Sequence, residues 1–294
     1  MPKDSKALKT ILKVTVSLLL LYFVFSKLGT RALWNTLKQV SALHFISAFL
    51  LVLASKAIAH LRLLHYLNTI EIKMARLTHW KLYLQGMFYN LFLPGGIGGD
   101  AYKAYILSKQ FNVKTKSIIS ALVIDRLSGM MALGTYTLIL VSAFLSRYPI
   151  EYLPEALVYT GLLSPLIIAG FYAFNRLWFK ATLKAFKTTT LFSFALQGLQ
   201  ILAAYLLLIG LGESHKIWGY LLLFTLSSVV SVLPISLGGI GLRELTFFYG
   251  AEWLFIDTET AVALSLLFFS TNALVSLLGL RYHLQPPFQR ASKA

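Results

Sequence analysis

The sequence predicts an all-α polytopic membrane protein, with six spanning helices and two re-entrant helical hairpins arranged as two inverted repeats. Three observations predict it. Of 294 residues, 57% are hydrophobic and only 13% charged, about half the charged share of an ordinary soluble domain. The charges alternate in sign bias from loop to loop, as the positive-inside rule requires of a multi-pass chain. And two proline- and glycine-rich breaks interrupt apolar segments at matching places in the two halves of the chain.

The elements follow in order. An apolar run over 9–27 forms the first span. Its basic start resembles a signal peptide, but no small-residue cleavage site follows, so it reads as an uncleaved helix. The stretch GTRALWNTLKQVSALHF (29–45) places Leu33, Trp34, Leu37 and Val40 at helical spacing, which predicts an amphipathic helix lying in the interface. A second span occupies 43–64, the first hairpin 82–108 and a third span 117–145. The second half repeats this pattern with spans at 156–175 and 189–211, a hairpin at 217–255 and a last span at 260–280. The chain is thus one integral-membrane domain, 1–294, divided into repeats 1–148 and 149–294.

Charge decides which segments cross. One set of loops holds nineteen cations (from Lys3 to Lys13, Arg62 to Lys81, Lys103 to Lys116, Arg176 to Lys187 and Arg281 to Lys293) with only Asp4 and Glu71. The other holds Lys27, Arg31, Lys38, Arg147 and Lys216 against Glu151, Glu155, Glu213, Glu252, Asp257 and Glu259. The first set is therefore cytoplasmic, and both termini with it. This sorting requires the segments 82–108 and 217–255 to enter and leave on one side. A helix over 82–94 is only about 20 Å long, against a hydrocarbon core of about 30 Å. Three crossings per half invert the second half relative to the first, the architecture of many secondary transporters. The expected location is the cytoplasmic membrane of a bacterium or archaeon.

The hairpin tips are NLFLPGGIGGDAYKAY (90–105) and LPISLGGIGLRELTFF (233–248). Both join Leu-Pro to Gly-Gly-Ile-Gly and then an acidic residue. Pro94, Gly95, Gly96, Gly98 and Gly99 form the first tip, and Pro234, Gly238, Gly239 and Gly241 the second. Broken backbone at membrane depth is tolerated only where protein or a water-filled cavity surrounds it, so the tips are expected to meet at an interior site.

These tips, with the ALVIDRLSG helix (121–129) between them, resemble the flippase-like, lysylphosphatidylglycerol-synthase transmembrane family along nearly the whole chain. The resemblance implies an integral-membrane role in handling lipids or lipid-linked intermediates. The better-known members of that family also carry a soluble aminoacyl-transfer domain; the chain here ends at LRYHLQPPFQRASKA, which favours movement of a lipid over aminoacyl transfer.

Six charges fall inside membrane segments: Lys56, Asp100, Asp125, Arg126, Arg243 and Glu244. Such residues are costly and face an interior site or one another. Arg126, Arg243, Asp100, Asp125 and Glu244 are the candidate substrate-binding residues. Arg126 and Arg243 would hold a lipid phosphate, which guanidinium binds in a bidentate manner, and the carboxylates would neutralise them between substrates. Asp100 also suits the N-cap of a returning helix, and Glu244 the first turn of its own. Arg243 at a helix start calls for an anionic partner. Adjacent residues on a helix diverge by about 100°, so Asp125 and Arg126 serve different neighbours, while Lys56 suits snorkelling toward an interface.

The absence of cysteine excludes disulfides and thiolate chemistry. The net charge of +16 is distributed by topology and does not signal nucleic acid. No cofactor or metal motif is present. The favoured function is a carrier or flippase for an anionic phospholipid or lipid-linked intermediate, with membrane lipid as partner and a homo-oligomer left open. The alternatives are a lipid-linked glycosyl or aminoacyl transferase component, a membrane aspartyl protease built on Asp100 and Asp125, and a non-transporting envelope scaffold. The protease pattern is missed by one position, because Ile97 precedes Gly98, Gly99 and Asp100.

Overall fold

A computed structural model describes residues 15, 18–19, 22–24, 26–28, 30–92, 98–148, 154–231, 241–284 and 288. Among them every regular element is helical. We number α1 (Thr30–Lys38), α2 (Ala42–Asn68), α3 (Arg76–Phe92), α4 (Gly98–Gln110), α5 (Thr115–Leu145), α6 (Ser164–Trp178), α7 (Phe186–Gly210), α8 (Ile217–Val230), α9 (Leu242–Trp253), α10 (Thr258–Leu277) and α11 (Leu280–Leu284). Two 3₁₀ segments, Glu155–Leu163 and Lys180–Ala185, lead into α6 and α7. The first of these tightens just ahead of Pro165, which lacks an N–H and obstructs the preceding turn of an α-helix.

Among the described residues five stretches are long and apolar enough to cross a membrane: Ala42–Asn68, Thr115–Leu145, Leu157–Trp178, Lys180–Gly210 and Thr258–Tyr282. They cover the spans expected at 43–64, 117–145, 156–175, 189–211 and 260–280. The span expected at 9–27 lies for its greater part outside the described residues. Their outward faces are apolar, as a lipid solvent requires: Leu43, Ile46 and Leu50 on α2, Ile119, Val123 and Met130 on α5, and Leu166 and Leu177 on α6 are all exposed.

Where the hairpins were expected, the chain forms two antiparallel pairs of short helices. Helices α3 and α4 have 17 and 13 residues, and α8 and α9 have 14 and 12. At 1.5 Å per residue none exceeds about 26 Å. Lys103 lies over the Tyr83 ring and Gly99 beside Asn90, which fixes the first pair as antiparallel. Leu223 against Gly250 and Ser228 against Arg243 do the same for the second. The connections, 93–97 and 232–240, with Pro94, Gly95, Gly96, Pro234, Gly238 and Gly239, lie outside the described residues.

The α3/α4 crossing depends on small residues. A Cβ on Gly99 would collide with the carbonyl oxygen of Gly86, so the two backbones touch, the usual basis of close helix association in lipid. Gly279 approaches the Leu84 carbonyl in the same way.

The core forms two clusters that share α2. One gathers Ala48 and Val52 with Ala203 and Leu207 of α7, Phe224 of α8, Phe247 of α9 and Leu264 and Phe268 of α10. The other joins Leu63 and Leu67 of α2 to Leu82, Leu107, Ile118 and Ile124 around the first pair. Contacts between the halves are reciprocal: α5, which follows the first pair, packs on α8, and α10, which follows the second, packs on α3, while α2 and α7 lie side by side. Helix α1 forms as expected, with Leu33 buried, Leu37 and Val40 against the core, and Trp34 exposed beneath Lys38.

Candidate functional site

The membrane charges separate into three groups. In the first, Arg62 on α2 grips Asp125 on α5 through two hydrogen bonds, Nε to Oδ1 at 2.8 Å and Nη2 to Oδ2 at 3.1 Å. Its Nη1 donates to Ser193 Oγ of α7 at 2.9 Å, and Ser193 in turn bonds Ser128. Gly129 makes room, since a Cβ there would come within 3.1 Å of Arg62 Nη1. This buried network ties both halves together. The sequence reading assigned Arg62 to a cytoplasmic loop; the structure buries it instead.

In the second group, Asp100 bonds Lys103 at 2.6 Å and also pairs with Arg126. Asp125 and Arg126 thus do serve different neighbours. Asp100 is not the N-cap of α4, because the helix begins two residues earlier at Gly98. The Asn90 side chain supplies a cap instead, its Oδ1 accepting the Gly99 N–H at 2.7 Å. Lys103, sorted with the loop cations by sequence, is also buried. Arg126 and Asp100 border a mostly apolar hollow of about 290 Å³ with Ala101, Ala104, Ile119, Leu122 and Val123, where α4 meets the outer face of α5.

The third group lies at the start of α9. Gly241, at φ +83°, is the N-cap, a backbone region that glycine enters without strain. Its N–H donates to Glu244 Oε2 at 2.7 Å, while Ser265 donates to Glu244 Oε1 at 2.8 Å. Glu244 is 2% exposed, and both its oxygens are engaged within the protein. Arg243 has no ion-pair partner among the described residues. Its guanidinium lies over the rings of Phe224 and Phe268, 5.4 and 4.9 Å from their centroids, and its only hydrogen bond among the described residues is a long one to Ser228 Oγ, 3.4 Å. Its Nε is buried without a partner. The anionic partner expected for Arg243 is therefore not found among the described residues.

Arg243 opens onto a cavity of about 350 Å³, a volume in the range of small-ligand sites. Lys56 of α2 lines it too, and makes no ion pair among the described residues. Helix α3 contributes Tyr83, Met87, Asn90 and Leu91, α7 Gln200, α8 Ser228 and Ser231, and α10 Phe268, Phe269, Asn272, Ala273 and Ser276. The last turn of α3, the end of α8 and the start of α9, which flank the two glycine-rich connections, thus meet at one chamber. Among the described residues no carboxylate lines it.

Sequence reasoning placed Arg126 and Arg243 at a common site, whereas they border different cavities. It also missed Lys56 as a cavity residue, along with Asn90 and Gln200. Lys56 carried a usable signal, because a lysine amid the apolar run of α2, far from both ends, has a long way to snorkel.

No curated protein and no solved structure matches this chain. The family model described as the lysylphosphatidylglycerol synthase TM region matches residues 10–279. With that match extending over nearly all of the chain, and with its helical, multi-pass build around a polar chamber, the protein belongs to the lysylphosphatidylglycerol synthase transmembrane family.

Proposed function

We propose that this protein is a flippase-like carrier for an anionic phospholipid or lipid-linked intermediate, whose phosphate is held between Arg243 and Lys56. The observation that carries the reading is a chamber whose described lining holds two cations and no carboxylate, inside an apolar helical protein. Unpaired charge in a low-dielectric interior is costly, and an anionic ligand relieves that cost. Asn90, Gln200 and Asn272 add amides for a headgroup. The smaller hollow beside Arg126 and Asp100, on the outer face of α5, would receive the lipid laterally.

On this reading the α3/α4 and α8/α9 pairs are re-entrant hairpins from opposite membrane faces, residues 1–148 and 149–294 are inverted repeats, and a span at 9–27 completes six crossings with both termini cytoplasmic. The reciprocal packing of α5 on α8 and of α10 on α3 supports that arrangement. Rocking of the repeats about the chamber would alternate its access, and the Arg62–Asp125–Ser193 network would act as a fixed joint. Asp100 and Asp125 each hold a cation rather than sharing a proton, which weighs against the protease alternative.

The test is reconstitution in liposomes containing a fluorescent anionic lipid, with mass spectrometry of lipid carried through purification. Wild type should exchange the lipid between leaflets and retain anionic lipid, and Arg243→Gln should do neither while remaining folded. Undiminished exchange by Arg243→Gln would place the pathway elsewhere.

A further inference from the structure

The family takes its name from a protein whose lipid bears a lysyl ammonium group. The chamber of this chain lacks what such a headgroup needs. Burying a cation requires a carboxylate or an open aromatic face, and among the described residues no acidic side chain lines the chamber. Asp100 and Asp125 are held by basic side chains, and Glu244 by Gly241 and Ser265. Asp257 caps α10 through Thr260 N–H, and Glu213 accepts from His215 N–H and Tyr220. Glu71, Glu155, Glu252 and Glu259 lie at helix ends or in turns that do not line the chamber. Asp4 and Glu151 lie outside the described residues. The sequences of the two connections outside the described residues, LPGGI (93–97) and VLPISLGGI (232–240), contain no charged residue at all.

Of the three aromatic rings that line the chamber, Tyr83, Phe268 and Phe269, two already carry a cation of the protein. Arg243 covers Phe224 and Phe268, and Lys103 covers Tyr83. An ammonium brought into the chamber would meet Lys56 and Arg243, two like charges in a medium where repulsion is weakly screened. The side-chain amides of Asn90, Gln200 and Asn272 each use one of their two ends within the protein and keep the other for the hydroxyls of a glycerol or sugar.

We infer that the chamber accepts lipid headgroups whose only charge is phosphate and rejects headgroups that also carry an ammonium, aminoacylated phosphatidylglycerol included. The inference rests on the reading of the chamber as a lipid site.

Competition for a fluorescent phosphatidylglycerol, measured with the full chain in phosphatidylcholine vesicles doped with phosphatidic acid, phosphatidylglycerol or lysyl-phosphatidylglycerol, tests it. Phosphatidic acid and phosphatidylglycerol should compete, and lysyl-phosphatidylglycerol should be weaker by about tenfold or more, the scale of one unfavourable charge contact. Lys56→Glu should narrow or reverse that ratio. Lys56→Gln, which introduces no new charge, should weaken phosphatidylglycerol and leave the lysyl lipid unchanged. Equal competition by all three lipids in the wild type overturns the charge selection alone. Competition by none overturns the lipid-site reading and this inference together.

Discussion

Arg62 and Asp125 stand 63 positions apart in the chain and share two hydrogen bonds of 2.8 and 3.1 Å, with side chains only 7% and 13% exposed. A buried pair of this kind adds little net stability over a well-packed apolar pair, yet removing one member leaves the other charge unpaired. Here the arginine also reaches Ser193 on α7, so the pair joins helices from both halves.

Removal of one partner should therefore be severe. Asp125→Ala or Arg62→Ala is expected to destabilise the protein by about 3–5 kcal/mol, seen as a lower midpoint for thermal unfolding in detergent. The double variant Arg62→Leu/Asp125→Leu should recover much of that loss. A double variant as unstable as the sum of the singles would mean that the two residues act independently.

Glycine substitutions should divide by backbone approach. Gly99→Ala collides with the Gly86 carbonyl and should separate α3 from α4, with loss of folded protein on size-exclusion chromatography. Gly170→Ala meets nothing within 4 Å and Gly134→Ala only Ile167 at 3.6 Å, so both should behave as wild type. Gly210, which by sequence lies in an ordinary span, is not a neutral control, since a Cβ there comes within 2.7 Å of His44 Cβ.

Helix α9 depends on Glu244 for its first turn. Glu244→Ala frees the Gly241 N–H and the Ser265 hydroxyl and should cost about 1–3 kcal/mol, in the range for leaving buried polar groups unsatisfied. Glu244→Gln keeps an accepting oxygen and should lose less. Thermal midpoints in the order wild type, Gln, Ala check this; equal midpoints would show that the cap is dispensable.

Topology can be read with single cysteines, because the chain contains none of its own. Cysteines placed next to Lys114, before α5, and next to Glu259, at the start of α10, should be labelled by a membrane-impermeant maleimide from opposite sides. Labelling from one side would remove the inverted repeat.

The sequence by itself determined the helical membrane class, the positions of five helices long and apolar enough to cross a membrane, and the two segments that form pairs of shorter helices. These are properties of local composition: an apolar stretch of sufficient length forms a helix because lipid offers its backbone no other hydrogen-bonding partner, and Pro with clustered Gly breaks it wherever it stands. The acidic residue in the first turn after each break, Asp100 and Glu244, was legible for the same reason.

Only the tertiary structure decided which charges meet. Arg62 and Lys103 read as loop cations because each lies close to a span's end, where a long side chain can reach water as readily as it can turn inward. For Arg62 the choice depends on a carboxylate at the same depth on another helix, Asp125, of which spacing along the chain carries no record; for Lys103 it depends on Asp100 one turn earlier on the same helix, which also holds Arg126 of α5. Asn90 caps α4 for a similar reason: Gly98 and Gly99 are drawn into the helix by the close crossing at Gly86, which displaces Asp100 from the cap and turns it toward Lys103 and Arg126. Lys56 and Arg243, 187 positions apart in the chain, come to one chamber, and their lack of carboxylate partners among the described residues, the property from which function is read, exists only once Asp100, Asp125 and Glu244 have bonded elsewhere.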